Sequence, residues 1–393
     1  MITDCQGLPY PVFAQGFVSG CKAVMGAEPY GSVYLLSVVI PAGLEGDIQI
    51  PAPGQFYMLH ALRSDTLLAR PISVYHIDKS FFGETEIQFL ILVKGNGTQE
   101  LCSLQDGDKI NILGPCGNRF PCPLSETKKV CIVGGGIGVA PVAGFAETLS
   151  PKTYDFYASF KSGCYGLEHI KPEKLVFTTD DGSRGIKGML PAALTEQSLR
   201  DGNYSAVYAC GPLPMLAYVK QIAEAAGLTC YLSMEARMAC GVGVCLGCTI
   251  DTTEGKMRCC KEGPVFDSKI LKFEKPADSV AGIKVQPRRE ALKQKPDLSV
   301  DIAGVHFENP VIGSSGTFGF GSEYTTIFDV NRLGGISSKG LTLEPRQGND
   351  GIRVWETPSG LMNSIGLQNP GIPHFIEKEL PEMMALKPVA IAN

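Results

Sequence analysis

The hydrophobic pattern changes character twice along the chain. From about residue 10 to 123, apolar and polar positions alternate with the two-residue period of half-buried strands, as in Ser32-Val33-Tyr34-Leu35-Leu36-Ser37-Val38-Val39 and Glu86-Ile87-Gln88-Phe89-Leu90-Ile91-Leu92-Val93. Glycines and prolines interrupt the alternation at short intervals, which predicts an antiparallel sandwich or barrel. From Lys129 the run Val130-Cys131-Ile132-Val133 is continuously apolar, meets a glycine cluster, and leads into the helix-type segment Val142-Ala143-Gly144-Phe145-Ala146-Glu147-Thr148-Leu149. That strand, loop and helix order belongs to a parallel sheet. Residues 273–297 then turn rich in Lys, Glu, Pro and Ala, with Lys284, Arg288, Arg289, Lys293 and Lys295 close together, and read as a solvated linker. Beyond it, Pro310-Val311-Ile312, Gly335-Ile336-Ser337-Ser338 and Val389-Ala390-Ile391 are candidate strands opening a second α/β domain.

Composition narrows the picture. A chain of 393 residues is too long for one ordinary core, and about 150 residues per domain predicts several. The net charge of −5 and the scattered Lys and Arg offer no basic stripe for phosphates, which excludes nucleic acid as the expected partner. The start, Met1-Ile2-Thr3-Asp4-Cys5, lacks a signal pattern, and no apolar run reaches the ~20 residues of a membrane span, so the expected location is cytoplasmic. Five of the 14 cysteines cluster within residues 240–260, which favours a metal centre over a disulfide framework. None of the five histidines (His60, His76, His169, His306, His374) stands in a His-Glu-x-x-His pattern, and each is expected to be a surface or core residue.

The run Cys240-Gly-Val-Gly-Val-Cys245-Leu-Gly-Cys248 has the C-x4-C-x2-C spacing of plant-type [2Fe-2S] proteins, and a fourth thiolate must follow. Cys259 and Cys260 both qualify on distance. Gly241, Gly243 and Gly247 let the backbone close around a small object. A structural zinc site is the alternative, and its usual C-x2-C pairs are absent.

Two small-residue loops follow predicted strands. Gly134-Gly135-Gly136-Ile137-Gly138-Val139-Ala140-Pro141 would aim backbone N–H groups at a pyrophosphate, although Pro141 replaces the third glycine of the usual dinucleotide fingerprint and a tight structural turn is the alternative. Cys210-Gly211-Pro212 follows Ala206-Val207-Tyr208-Ala209 and leads into a helix from Pro214, so the pair suits one extended dinucleotide. Thr179-Asp180-Asp181-Gly182-Ser183, after Leu175-Val176-Phe177, reads equally as a ligand-facing loop or as an acidic turn held by its Asp side chains.

Taken together, Arg70-Pro71-Ile72-Ser73, Gly95-Asn96-Gly97-Thr98, Gly114-Pro115-Cys116-Gly117-Asn118, the glycine loop and the cysteine cluster resemble the electron-transfer subunit of class 1B dihydroorotate dehydrogenase, over about residues 8–272. The resemblance implies a multidomain β and α/β protein: a ferredoxin-reductase-type FAD barrel at 8–123, an NAD-binding α/β domain at 124–231, a [2Fe-2S] domain at 232–272 and the linker at 273–297. It implies that Arg70, Pro71, Ile72 and Ser73 hold FAD, with Arg70 on the pyrophosphate, where a planar guanidinium binds oxygens in pairs. It assigns Leu90, Ile91 and Leu92 to the strand flanking the flavin, Gly97 and Thr98 to its phosphate turn, and Gly134, Gly135, Gly136 and Gly138 to the nucleotide. It also selects Cys260 as fourth ligand, because the family's last cysteine stands two residues before the sequence that appears here as Glu262-Gly263-Pro264-Val265-Phe266.

A second resemblance begins at about residue 298. Asn309-Pro310-Val311-Ile312-Gly313-Ser314-Ser315-Gly316-Thr317-Phe318-Gly319 and Asn363-Ser364-Ile365-Gly366-Leu367-Gln368-Asn369-Pro370-Gly371 are similar to the catalytic dihydroorotate dehydrogenase barrel. It implies FMN contacts from Ser315, Lys339, Gly340 and Asn393, and an orotate pocket formed by Lys339, Asn363, Ser364, Ile365, Gly366 and Leu367. A complete barrel needs ~200 residues or more, whereas 298–393 supplies 96. The expectation is therefore an incomplete TIM barrel, with FMN bound only if the barrel is completed and no dihydroorotate oxidation by this chain alone. The implied function is an NAD-dependent electron-transfer module of pyrimidine biosynthesis, relaying electrons between FMN, [2Fe-2S], FAD and NAD(H). No side chain acts as a general base in that relay. The implied partner is a catalytic subunit, in a heterotetramer. A reductase serving ferredoxin or sulfur compounds and a non-functional truncated fusion are the rival readings.

Overall fold

The computed structural model describes residues 11–26, 31–40, 50–62, 64–79, 84–123, 125, 127–273, 297–357 and 360–393. The basic cluster from Lys284 to Lys295 lies outside them. The chain divides into two compact units, Met1–Ala236 with Ile250–Lys275, and Arg237–Thr249 with Pro276–Asn393.

In the first unit, six strands close a barrel: β1 (Val12–Met25), β2 (Val33–Ile40), β3 (Phe56–Ala61), β4 (Arg70–Lys79), β5 (Thr85–Leu92) and β6 (Lys109–Cys116), in the order β1-β2-β5-β4-β3-β6. Alternation decides which side chains fill it. On β2, Leu36, Val38 and Ile40 are buried beside Ile87, Phe89 and Ile91 of β5. The pattern alone left sandwich and barrel open. Register slips at Val18/Gly20, Ala23/Met25, Phe56/Met58 and Val74/His76 mark bulges, the device that bends strands enough to close a small barrel. A short helix, α1 (Asn96–Cys102), follows β5.

The barrel is followed by a seven-stranded sheet. Its strands are β7 (Val130–Gly135), β8 (Tyr154–Phe160), β9 (Lys174–Thr179), β10 (Ile186–Lys187), β11 (Ala206–Cys210) and β12 (Thr229–Ser233), with β15 (Val265–Asp267) at the edge after the ribbon β13 (Thr249–Thr252) and β14 (Gly255–Arg258). The order is β10-β9-β8-β7-β11-β12-β15, parallel except at β12–β15. The helices are α2 (Val139–Glu147), α3 (Glu196–Asp201) and α4 (Leu213–Ala225). β7 and β11 are neighbours although the chain leaves β7 toward β8, so the strand order switches between them. An open α/β sheet binds ligands at such a switch point, beyond the carboxyl ends of the strands.

In the second unit, β16 (Val300–Ile302) and β17 (Val305–Phe307) form a hairpin. Three parallel strands follow, β18 (Ile312–Gly313), β19 (Gly335–Ser337) and β22 (Val389–Ile391), in the order β18-β19-β22. The ribbon β20 (Val354–Thr357) and β21 (Gly360–Asn363) lies between them in sequence, and Phe320, Val330, Ile336, Phe375 and Met383 make the core. The strand expected from Pro310 is confined to Ile312–Gly313, because proline cannot donate to the ladder.

Candidate functional site

Arg70 begins β4 and donates from Nη1 to the Leu68 carbonyl at 2.9 Å. Its guanidinium lies so close above α1 that a Cβ on Gly97 would strike it, so glycine is what lets the cation sit against that turn. Thr98 shapes the turn. Its Oγ1 accepts from the amides of Lys94 at 3.0 Å and Gly95 at 3.2 Å and donates to the Gly95 carbonyl at 2.9 Å. Pro71, Ile72 and Ser73 pair with Met58, Tyr57 and Phe56. Leu90 and Leu92 lie on the side of the nucleotide lobe, whereas Ile91 is buried in the barrel core. A guanidinium held against a glycine turn fits a pyrophosphate.

The glycine loop sits at the switch point. A Cβ on Gly138 would stand 2.6 Å from the Cys210 carbonyl carbon and oxygen, and one on Gly135 would stand 2.5 Å from Met215 Sδ. Gly136 has φ +52°, a left-handed conformation that favours glycine. These contacts bring Gly135–Gly138 and Gly211-Pro212 together at a cavity of about 760 Å³, within the roughly 300–1,000 Å³ range of ligand sites, whereas Gly134 does not line it and packs against Val139 and Val142. Lys161, Asp180 and Glu235 also line it, and no motif had singled out Lys161 or Glu235. The acidic loop divides between its two aspartates. Asp180 faces the cavity, while the Asp181 carboxylate accepts the Ser183 amide at 2.9 Å, which holds it below the usual carboxylate range.

Cys240, Cys245 and Cys248 lie on a loop of the second unit. Gly241, Gly243 and Leu246 take positive φ there, at +73°, +85° and +60°, which coils the backbone so that amides face sulfur. The Cys245 amide donates to Cys240 Sγ and the Gly247 amide to Cys245 Sγ, both at 3.4 Å. Amides aimed at sulfur are a fitting environment for a thiolate-held cluster. The same loop packs within its unit: a Cβ on Gly247 would strike Val354, and the Arg237 guanidinium covers the Trp355 ring, 3.6 Å from its centroid.

Cys259 and Cys260 are both buried, on the turn after β14 in the first unit. Two motifs of the sequence meet there. Asn118 Nδ2 donates to the carbonyls of Glu262 at 2.8 Å and Val265 at 2.7 Å, and its Oδ1 accepts the Val265 amide at 2.9 Å. Burial pushes the Glu262 carboxyl up, but the Arg258 guanidinium and amide outweigh it and hold it below the usual range.

In the second unit, the residues expected to contact FMN gather at the carboxyl ends of its three parallel strands, where barrel enzymes place their chemistry. Ser315 follows β18, Lys339 and Gly340 follow β19, and Asn393 follows β22. Asn393 Nδ2 donates to Ser315 Oγ at 2.5 Å, and the Asn393 amide donates to Ser338 Oγ at 3.1 Å. Leu367 Cδ1 is 2.9 Å from where a Cβ on Gly340 would be. Lys339 is 6% exposed, which excludes an ordinary surface lysine, and burial pushes its ammonium below the usual lysine range. Asn363 and Ser364 are exposed, Ser364 accepting from Asn349 Nδ2 at 3.1 Å. Sequence reasoning missed Arg353 and Asn369. Arg353 donates to the Ile365 carbonyl at 2.7 Å and Gln368 Oε1 at 2.8 Å, and Asn369 accepts the amides of Thr342 and Gly371. Only the Asn369 position, inside the second quoted motif, carried a signal.

A closed barrel whose β4 carries Arg-Pro-x-Ser, followed by a doubly wound sheet with glycine loops at its switch point, has the fold of the ferredoxin-reductase class. A chain from the NADH-dependent reduced ferredoxin–NADP oxidoreductase structure shares this fold, with TM-score 0.53 and 22% identity over 66% of this chain and 90% of that one. Residues 235–272 match the family of the iron-sulfur cluster binding domain of dihydroorotate dehydrogenase B, and residues 297–392 match the dihydroorotate dehydrogenase family. The dihydroorotate dehydrogenase B (NAD(+)) electron transfer subunit of Clostridium acetobutylicum is 38% identical over 60% of this chain and 92% of its own length, and that of Caldanaerobacter subterraneus subsp. tengcongensis is 38% identical over 57% and 88%. The chain belongs to the family of dihydroorotate dehydrogenase B electron transfer subunits and carries, after it, a segment of the dihydroorotate dehydrogenase family. Among the described residues no helix is long and apolar enough to cross a membrane.

Proposed function

We propose that this chain is the electron-transfer module of an NAD-dependent dihydroorotate dehydrogenase, joined in one polypeptide to part of the catalytic barrel that it serves. The observation that carries the reading is the presence, in one chain, of the Arg70–Gly97 cradle, the glycine loops at the β7/β11 switch point and the cysteine loop, followed by Ser315, Lys339 and Asn393 at neighbouring strand ends. In this reading Arg70, Ser73, Gly97 and Thr98 bind and orient FAD, and Gly134–Gly138 bind NAD(H). Cys240, Cys245, Cys248 and Cys260 hold the cluster, and Ser315, Lys339, Gly340, Asn393 and Asn363–Leu367 belong to the FMN and orotate site. Bound flavin supplies the conversion between hydride and single-electron chemistry, for which the protein provides position and potential. The functional divisions are 8–123, 124–231, 232–272, 273–297 and 298–393, the assembly is a heterotetramer with a catalytic subunit, and the location is cytoplasmic.

The test is the absorbance and EPR spectrum of the purified protein, with iron and flavin content. Flavin bands and the signal of a reduced [2Fe-2S] centre after NADH addition are expected. Colourless protein without iron would overturn the reading. Reduction of NAD by dihydroorotate once a relative's catalytic subunit is added distinguishes it from a reductase serving ferredoxin or sulfur compounds.

A further inference from the structure

Three elements of the first unit converge on two histidines that no motif singled out. The pairing of β4 with β5 slips between Val74 and His76. Strict alternation would send His76 into the barrel with Val74. The bulge breaks it: Val74 and Ile77 pack on the barrel core, whereas Tyr75 joins the core of the nucleotide lobe and His76 faces α2. α2 comes close because Gly144 has no side chain; a Cβ there would stand 2.7 Å from the Tyr75 carbonyl oxygen. Almost one turn later, Glu147 Oε2 lies 2.7 Å from His76 Nδ1. The other ring nitrogen, Nε2, lies 3.3 Å from Asp78 Oδ2, two residues along the same strand face. From the loop between β8 and β9, the exposed His169 ring lies flat on His76, with centroids 3.9 Å apart and planes within 5°. The donor atoms of His76, Glu147 and His169 all lie within 4.8 Å of one another.

We propose that His76, Glu147 and His169 bind a divalent transition-metal ion of the zinc type, tying the end of α2 to β4. Two imidazoles and one carboxylate are a donor set for such an ion, whereas calcium and magnesium favour oxygen alone. Donors around tetrahedral zinc at ~2.0–2.2 Å stand about 3.4 Å apart, so the His76–Glu147 pair must open from 2.7 Å while the widest separation, within 4.8 Å, closes toward the same value. The closing motion falls to His169. Parallel rings cannot both aim in-plane lone pairs at one ion, and an exposed side chain rotates out of the stack at little cost. His76 is 8% exposed and already oriented. Without the ion, His76 Nδ1–H donates to Glu147 Oε2 at 2.7 Å; metal binding displaces that proton and leaves one on Nε2 facing Asp78, the arrangement in which a carboxylate fixes the tautomer of a metal-bound histidine. The ion would join the strand that carries Arg70 to the helix that follows Gly134–Gly138, the two elements behind the flavin and nucleotide loops.

The test is equilibrium dialysis of the flavin- and iron-loaded protein against zinc chloride, with zinc and iron measured per chain by mass spectrometry. One zinc per chain is expected, with iron retained. His169→Ala and Glu147→Gln, both at exposed positions, should weaken binding at least ~100-fold while leaving flavin and iron content unchanged. Zinc should raise the melting temperature of the parent protein and not that of His169→Ala. Absence of zinc at micromolar concentrations would overturn the site, as would equal binding by His169→Ala. Zinc uptake matched by iron release would also overturn it, because the ion would then sit on the cysteines.

Discussion

Replacing Gly97 by alanine tests whether the Arg70 guanidinium is the flavin's pyrophosphate clamp. The added Cβ would occupy the place of the guanidinium, which must withdraw from α1 and from its bond to the Leu68 carbonyl. That withdrawal is cheap for the fold, since the obstructing group is the end of a flexible side chain. Alanine is also favoured over glycine within a helix by roughly 0.8–1 kcal/mol. For the ligand it is costly. Hydrogen bonds to charged groups contribute about 1.5–3 kcal/mol, and at 1.4 kcal/mol per tenfold this corresponds to a loss of FAD affinity of roughly 10- to 150-fold. The measurement is titration of deflavinated Gly97→Ala with FAD by fluorescence, alongside its melting temperature without flavin. Arg70→Lys, which keeps the charge but loses the planar fork, should fall between parent and Gly97→Ala. Unchanged FAD affinity in Gly97→Ala would refute the clamp. An affinity loss matched by a lower melting temperature of the flavin-free protein would refute the reasoning as well, because the damage would then be to the fold.

Gly138→Ala places its Cβ against the Cys210 backbone, which cannot retract as a side chain can, so it should destabilise the protein by about 1–3 kcal/mol and raise the KM for NADH without lowering FAD content. Asn118→Ala removes three hydrogen bonds to the turn that follows Cys260; for a half-buried group a cost of about 2 kcal/mol is expected, roughly 4–8 °C in melting temperature, together with faster loss of iron under chelator challenge. Burial pushes the Cys210 and Cys230 thiols up to about 12, so brief iodoacetamide treatment of the native protein at pH 8 should modify exposed Cys122 and spare both, as read by peptide mass spectrometry. Alkylation of Cys210 at the rate of Cys122 would contradict that burial.

The sequence was most legible where a residue type leaves the backbone few choices. Val130–Gly135 and Ala206–Cys210 form where continuous apolar runs meet small-residue turns. The cysteine spacing announced a loop that must coil, and positive φ at Gly241 and Gly243 is how it does so. Long-range packing was not legible. Periodicity could not choose barrel over sandwich, because closure depends on bulges such as the slip between Val74 and His76. Arg353 and Glu235 belong to no motif, and their places depend on where distant strands end. His76 and His169 were expected to be unremarkable; they meet because a bulge, a glycine on a neighbouring helix and a loop 93 residues away coincide. The choice between Cys259 and Cys260 came from the flanking Glu262–Phe266 run, since both thiols are buried.

Trp355 is the sole tryptophan of the chain, and Arg237, three residues before Cys240, lies over its ring. The protein therefore carries a single indole, which can be excited at longer wavelength than its 13 tyrosines, at the point where the cysteine loop rests on the β20–β21 ribbon. Its emission will report that seating directly: it shifts if the loop lifts and water reaches the indole, and it stays fixed while electrons pass and nothing moves. A spectroscopic label would otherwise have to be engineered to observe that contact in solution.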